Sequence, residues 1–170
     1  MESQYFKIGK FVSAFGLNGQ LILQHSLGKK TALKDIEAVF LEETSDTFLP
    51  YFVQSAKGKT DNETYVELEQ VNTRESARKF IQKEVWLNSD DFKKLAAKSA
   101  PISFLGYHII DGKQDIGEII EVIEMPHQVL CKVDVAGAEK LIPLHQQTLE
   151  RIDNKAKKIY VTLPEGLLEI

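Results

Sequence analysis

The chain has 170 residues but only one cysteine, one tryptophan and five prolines. Cys131 has no partner for an internal disulfide, so packing must hold the fold, as suits a reducing cytoplasm. No apolar run approaches the roughly eighteen residues of a membrane span. The opening MESQYFKIGK lacks the apolar core of a secretory signal, and a cytoplasmic location with no membrane contact is expected. A basic excess is missing too: 21 Lys and Arg stand against 25 Asp and Glu, a net charge of −4. That argues against a broad basic face coating nucleic acid. It leaves room for local phosphate contacts or for a strongly basic protein partner.

Signatures of chemistry are equally scarce. His25, His108, His127 and His145 are scattered, with no H-x-E or H-E-x-x-H spacing. His127 and Cys131 straddle a turn and a strand, a poor metal pair. Cys131 sits in the apolar run Val129–Val133 and reads as a buried, inert thiol. Glu42 and Glu43 point to opposite faces of one strand and cannot share a substrate atom. There is no G-x-S-x-G. No enzymatic activity, cofactor or metal is expected.

What is present is an ordinary globular composition, 43% hydrophobic and 27% charged, long enough for one domain or two small ones. The chain is organised around Ile8–Leu23, IGKFVSAFGLNGQLIL. Tyr5–Val12 and Gln20–His25 alternate as strands around Gly16-Leu17-Asn18-Gly19. The glycines do not form a phosphate loop: G-x-G-x-x-G and G-K-[ST] are absent, and a strand pattern follows where a helix N-terminus would be needed. Further strands are read at Ala38–Glu42, Phe48–Ala56 and Thr64–Leu68. Pro50 demands an edge or a bulge. Asn72-x-x-Glu75 reads as a capping box opening a short helix through Ala77, Phe80 and Ile81. Val85–Leu87 closes the unit, with Trp86 in the core. Lys29, Lys30 and Lys34 form a loop, and Arg74, Arg78, Lys79 and Lys83 the outer helix faces. These basic residues read as solvated surface or as RNA phosphate contacts.

Residues 91–100, small and basic before Pro101, read as a linker between a unit over 1–90 and another over 101–170. The second unit shows strands at Phe104–Asp111, Ile116–Glu124, Val129–Val135, Lys140–Ile142, Leu149–Ile152 and Lys158–Leu163. Ile116–Glu124 is apolar on both faces, as in a strand passing between environments. Short strands with regular turns suggest a small closed or nearly closed barrel. The fold class expected is mainly β: two small antiparallel β-barrels joined by a linker, with one short helix in the first.

Gly9, Gly16, Leu17 and Gly19 resemble the N-terminal signature G-x-I-x-x-x-H-G-[LIV]-x-G-E of the RimM family, bacterial ribosome maturation factors. Phe15 stands where that family commonly has His, and Gln20 where it has Glu. Leu105-Gly106-Tyr107, Gly112 and Ile116-Gly117 resemble the opening of a PRC-barrel domain. Leu141-Ile142-Pro143 and the closing Leu163-Pro164-Glu165-Gly166-Leu167-Leu168 are similar to its later elements. Phe104 is one aromatic where the family has a pair, and Met125–Val129 replaces its G-A-N-D-V loop.

The resemblance implies a non-enzymatic, monomeric assembly factor that binds immature small (30S) ribosomal subunits. It implies help to maturation of the head region and, indirectly, to 16S rRNA processing. It also implies a partner, the head protein numbered nineteen in that subunit, held by the second barrel. By this analogy the partner contacts are Phe15, Gly16, Leu17, Asn18 and Gly19 in the first unit. In the second they are Leu105, Met125, Pro126, His127, Gln128, Pro143, Leu144 and His145. Lys29, Lys30, Lys34, Arg74 and Arg78 are the candidate rRNA contacts. The alternative is a direct RNA-binding, translation-factor-like module using the lysine loop and the basic helix.

Overall fold

The computed structural model describes residues 4–167. It separates into two compact units, one ending at Ser103 and the next starting at Phe104. Leu168 lies outside the described residues.

The first unit contains β1 (Tyr5–Phe15), β2 (Gln20–His25), β3 (Ala38–Thr44), β4 (Thr47–Thr60), β5 (Glu63–Leu68), α1 (Arg74–Arg78), β6 (Glu84–Asn88) and α2 (Ser89–Leu95). Its strands form a closed barrel in the order β1-β2-β5-β4-β3-β6, every pair antiparallel. The period of two selects the core: Leu21 and Leu23, Val66 and Leu68, Val85 and Leu87 are buried. β1 joins β2 to β6, and its register shifts by one residue near Gly9 on one side and near Phe11 on the other. Such bulges bend a strand enough to close a barrel.

Pro50 is tolerated although β4 is an interior strand. It pairs with Phe40 of β3, while pairing with β5 begins only at Val53, so the strand is locally an edge. Trp86 is not core. It alternates out of phase with buried Val85 and Leu87 and meets Phe48, ring centroids 4.8 Å apart. The helix begins one residue later than expected. Thr73, extended at φ −129° and ψ 157°, is the N-cap; its hydroxyl accepts from the Ser76 N–H, and the Ser76 hydroxyl accepts from the Thr73 N–H. This Thr–Ser pair meets both orphan donors, so Asn72 and Glu75 are not needed as caps.

The stretch expected as a linker is folded. Asn88 caps α2 through the Asp91 N–H at 2.8 Å, and Phe92 and Leu95 are buried. Beyond the helix the Ala97 N–H donates to the Leu27 carbonyl, and Ala100 is buried. Phe92 at helical spacing from Leu95 supplies the apolar face that a solvated tether would lack.

The second unit contains β7 (His108–Asp111), β8 (Gln114–Met125), β9 (Gln128–Val135), β10 (Ala138–Leu144), β11 (Leu149–Asp153) and β12 (Lys158–Val161). The first expected strand is shorter than read: Pro101–Phe104 form a 3-10 turn, and the ladder starts at His108. The sheet order is β10-β9-β8-β7-β12-β11. All pairs are antiparallel except β12 with β7, which is parallel. The sheet edges, β10 and β11, are consecutive in sequence and joined by residues 145–148, so the sheet must curl to bring them together. β8 pairs with β7 over its first half and with β9 over its second, with register shifts on both sides. That change of partner accounts for apolar residues on both of its faces.

Candidate functional site

Two of the three expected segments of the second unit meet. Met125, His127 and Gln128 around the β8–β9 turn and His145 to Gln147 in the β10–β11 turn line one open groove of about 650 Å³, with Val129 and Leu144 as its apolar floor; Pro126 sits in the first turn without lining it. Register brings them together: Met125 pairs with Gln128, and Val129 pairs with Leu144. Pro143 is the neighbouring β10 residue, opposite Leu130. Leu105 is not part of this surface. It is buried at 5% exposure beside Gly106, whose N–H donates to the Ile119 carbonyl, so it belongs to the core.

One wall is pinned. Thr148, 3% exposed, donates its hydroxyl to the Pro143 carbonyl at 3.0 Å and accepts from the His145 N–H. The His145 Nδ1 accepts the Gln147 N–H at 3.1 Å, which leaves Nε2 as the donor of the neutral ring. The other wall is adaptable: Met125 is 46% exposed, and its thioether chain fits irregular surfaces. His127, Gln146 and Gln147 complete a lining that holds no Asp, Glu, Lys or Arg. Recognition here must rest on shape and hydrogen bonds. The complementarity expected between an acidic protein and a basic partner is not built into this groove.

In the first unit, the turn Gly16 to Gly19 joins β1 to β2. Leu17 is 78% exposed at its tip, and Phe15 is 49% exposed with its ring 5.0 Å from Tyr65. Lys59 Nζ lies 5.9 Å from the Tyr65 ring centre and also 3.6 Å from Glu63. Gly19 has φ +85° and presses on the backbone of Val71 and Thr73, which ties the turn to the start of α1. Asn18 is exposed and Gly19 buried.

The candidate basic residues do not form one patch. Arg74 and Arg78 lie on α1, at the Gly19 end of β2. Lys29, Lys30 and Lys34 lie in the loop beyond His25, at the other end, about 20 Å of strand away. That loop is ordered by Thr31: its carbonyl accepts the Thr64 hydroxyl at 2.8 Å, and its hydroxyl accepts the Leu33 N–H. The Lys30 stem lies over Gly58, where a β-carbon would come within 2.7 Å of its Cγ. Sequence reading missed Tyr65 and Lys59, whose contribution depends on cross-strand neighbours.

Cys131 and His25 are poorly placed for catalysis. Burial pushes the Cys131 thiol up to about 12, where the thiolate is negligible at neutral pH. His25 is buried and its pKa is lowered by desolvation; Nδ1 accepts the Leu27 N–H at 3.2 Å. Among the described residues, no three His, Cys, Asp or Glu side chains are grouped to hold a metal ion. No helix among them is long and apolar enough to cross a membrane.

Comparison with known proteins covers both units. The family model for the RimM N-terminal domain matches residues 6–92, and that for the RimM PRC barrel domain matches residues 101–167. A protein named ribosome maturation factor RimM from Parabacteroides distasonis is 36% identical, covering 99% of this chain and 98% of its own. One of the same name from Bacteroides fragilis is 31% identical over 97% of this chain and 92% of its own. The solution structure of the N-terminal domain of RimM from Thermus thermophilus covers 52% of this chain and 93% of its own, at 19% identity and TM-score 0.41. The two family models together, in the same order as the two units, show that this chain belongs to the RimM family of ribosome maturation factors.

Proposed function

We propose that this protein is a non-enzymatic assembly factor that binds the immature small (30S) ribosomal subunit and assists maturation of its head. In this reading the groove between Met125–Gln128 and Pro143–His145 holds the small-subunit head protein numbered nineteen. The single observation that carries it is the convergence of those two segments into one open groove, free of Asp, Glu, Lys and Arg, with a pinned wall and an adaptable wall. The exposed Phe15 and Leu17 supply a second contact in the first unit. No bond is made or broken. The factor stabilises one arrangement of protein and rRNA by binding it more tightly than the mature one; a hundredfold preference needs about 2.7 kcal/mol. Processing of 16S rRNA then improves indirectly. The protein acts as a cytoplasmic monomer without a cofactor.

A pull-down from cell extract, with and without RNase, tests this reading. Recovery of the immature small subunit supports it, and recovery of its head protein after RNase locates the contact. Absence of every ribosomal component in both arms overturns it.

One observation favours direct rRNA contact as well. Lys59 stands near the Tyr65 ring, Phe15 packs on that ring, and Lys57 is paired with Tyr65 across the ladder. Aromatic faces beside lysines suit unstacked bases and phosphates. Binding of naked rRNA that weakens steeply with salt identifies this contact; binding indifferent to salt rejects it.

A further inference from the structure

The β3–β6 seam of the first barrel is narrow: a single pair, Phe40 with Trp86, bridges the two strands. Beside it lies a groove of about 400 Å³. Phe40, Pro50 and Phe52 give it an apolar floor, and Phe52 is 49% exposed. Asp35, Glu37 and Asp91 stand on its lining. Lys94 is the one basic residue there, 59% exposed and 3.8 Å from Asp91, a long surface pair of little worth.

We propose that this groove anchors an arginine side chain of a basic, extended polypeptide segment. The chemistry selects the occupant. A guanidinium is planar and weakly hydrated, so it can lie on the Phe52 or Phe40 ring while its N–H fork meets carboxylates. An ammonium would keep its charge and a cation–π contact but would lose the planar stacking and the forked hydrogen bonds. The carboxylates come from two separate elements, the loop before β3 and α2, both firmly placed. The Glu37 carbonyl accepts the Val53 N–H at 2.9 Å, and Asp91 lies in the turn capped by Asn88. An arriving guanidinium would displace the weak Lys94 contact and leave the lining closer to neutral. The assignment is independent of the assembly reading, whose groove lies in the other unit.

The probe is fluorescein-labelled hexa-arginine amide, followed by anisotropy with the full chain, against hexa-lysine amide. The expected result is tighter binding of the arginine peptide. The double variant Asp35→Asn/Glu37→Gln should weaken it about tenfold, as should Phe52→Ala. Asparagine suits the left-handed backbone of residue 35, φ 65°. A control removing two distant carboxylates, Glu75→Gln/Glu165→Gln, should leave binding unchanged. Equal affinity for the two peptides, equal loss in the control, or no binding at low salt overturns the proposal. Amide NMR of the unaltered protein gives a reading free of variant stability. Shifts on peptide addition confined to residues 35–40, 50–52 and 88–94 support the site, and shifts centred elsewhere overturn it.

Discussion

Gly19 lies directly on the Val71 carbonyl: a β-carbon at position 19 would come within 2.8 Å of that carbonyl carbon and closer still to its oxygen. The neighbour is backbone, so it cannot swing away. Gly19→Ala must therefore displace the 71–73 loop as well as strain φ +85°. It should lower stability by more than about 2 kcal/mol, whereas Gly16→Ala, at φ +71° in open space, should cost only about 1–2. Urea unfolding midpoints of the two variants check the difference; equal losses would remove the contact from the account.

Thr73 rather than Asn72 closes the start of α1. Thr73→Ala should cost about 1 kcal/mol and Asn72→Ala a few tenths. Thermal melts distinguish them, and the reverse order would restore the cap read from the sequence.

His25 makes stability depend on pH in a stated direction. Its ordinary pKa of 6.5 is lowered in the folded chain by burial. The unfolded chain therefore takes up the proton first as pH falls. The contribution is fully present above pH 6.5 and is lost on acidification, by up to about 1.4 kcal/mol per pH unit until the folded group also titrates. Unfolding midpoints between pH 7.5 and 5 should fall less steeply in His25→Gln than in the unaltered chain.

Leu105 and Met125 separate packing from binding. Leu105→Ala empties a buried position and should cost about 2–5 kcal/mol. Met125→Asp alters an exposed groove residue and should change stability by less than about 0.5 kcal/mol while abolishing capture of ribosomal protein. Melting curves paired with pull-downs give both readouts.

Alternation along β2, β5 and β6 made the barrel strands legible, because one face of each is buried and the period is local. The long reach of β4, the outward placement of Trp86 and the parallel β7–β12 pair were not legible. Each depends on which distant strand lies alongside. The helix start was misplaced by one residue because Asn72-x-x-Glu75 and Thr73-x-x-Ser76 are both sound caps, and tertiary packing selects between them. At the second-unit groove, exposed loop positions and family resemblance together pointed to Met125–Gln128 and Pro143–His145, but that the two segments lie side by side follows from the β8–β9–β10 register, which is not local. Leu105 was misjudged because an apolar residue beside glycine reads the same whether it is buried or displayed. The seam groove left no local sign: Asp35, Phe52 and Asp91 are remote in sequence and meet only through the β3–β4 hairpin and α2.

The parallel alignment of Lys158–Val161 with His108–Asp111 sets a schedule for biosynthesis. The opening strand of the second unit is translated about fifty residues before the strand that lies alongside it. That unit must wait, with β7 paired on its β8 side alone, until residues 158–161 have been made. The first barrel has its sixth strand by Asn88 and can mature while translation continues. A ribosome stalled before codon 158 should thus display one protease-resistant body and one that is still readily cleaved.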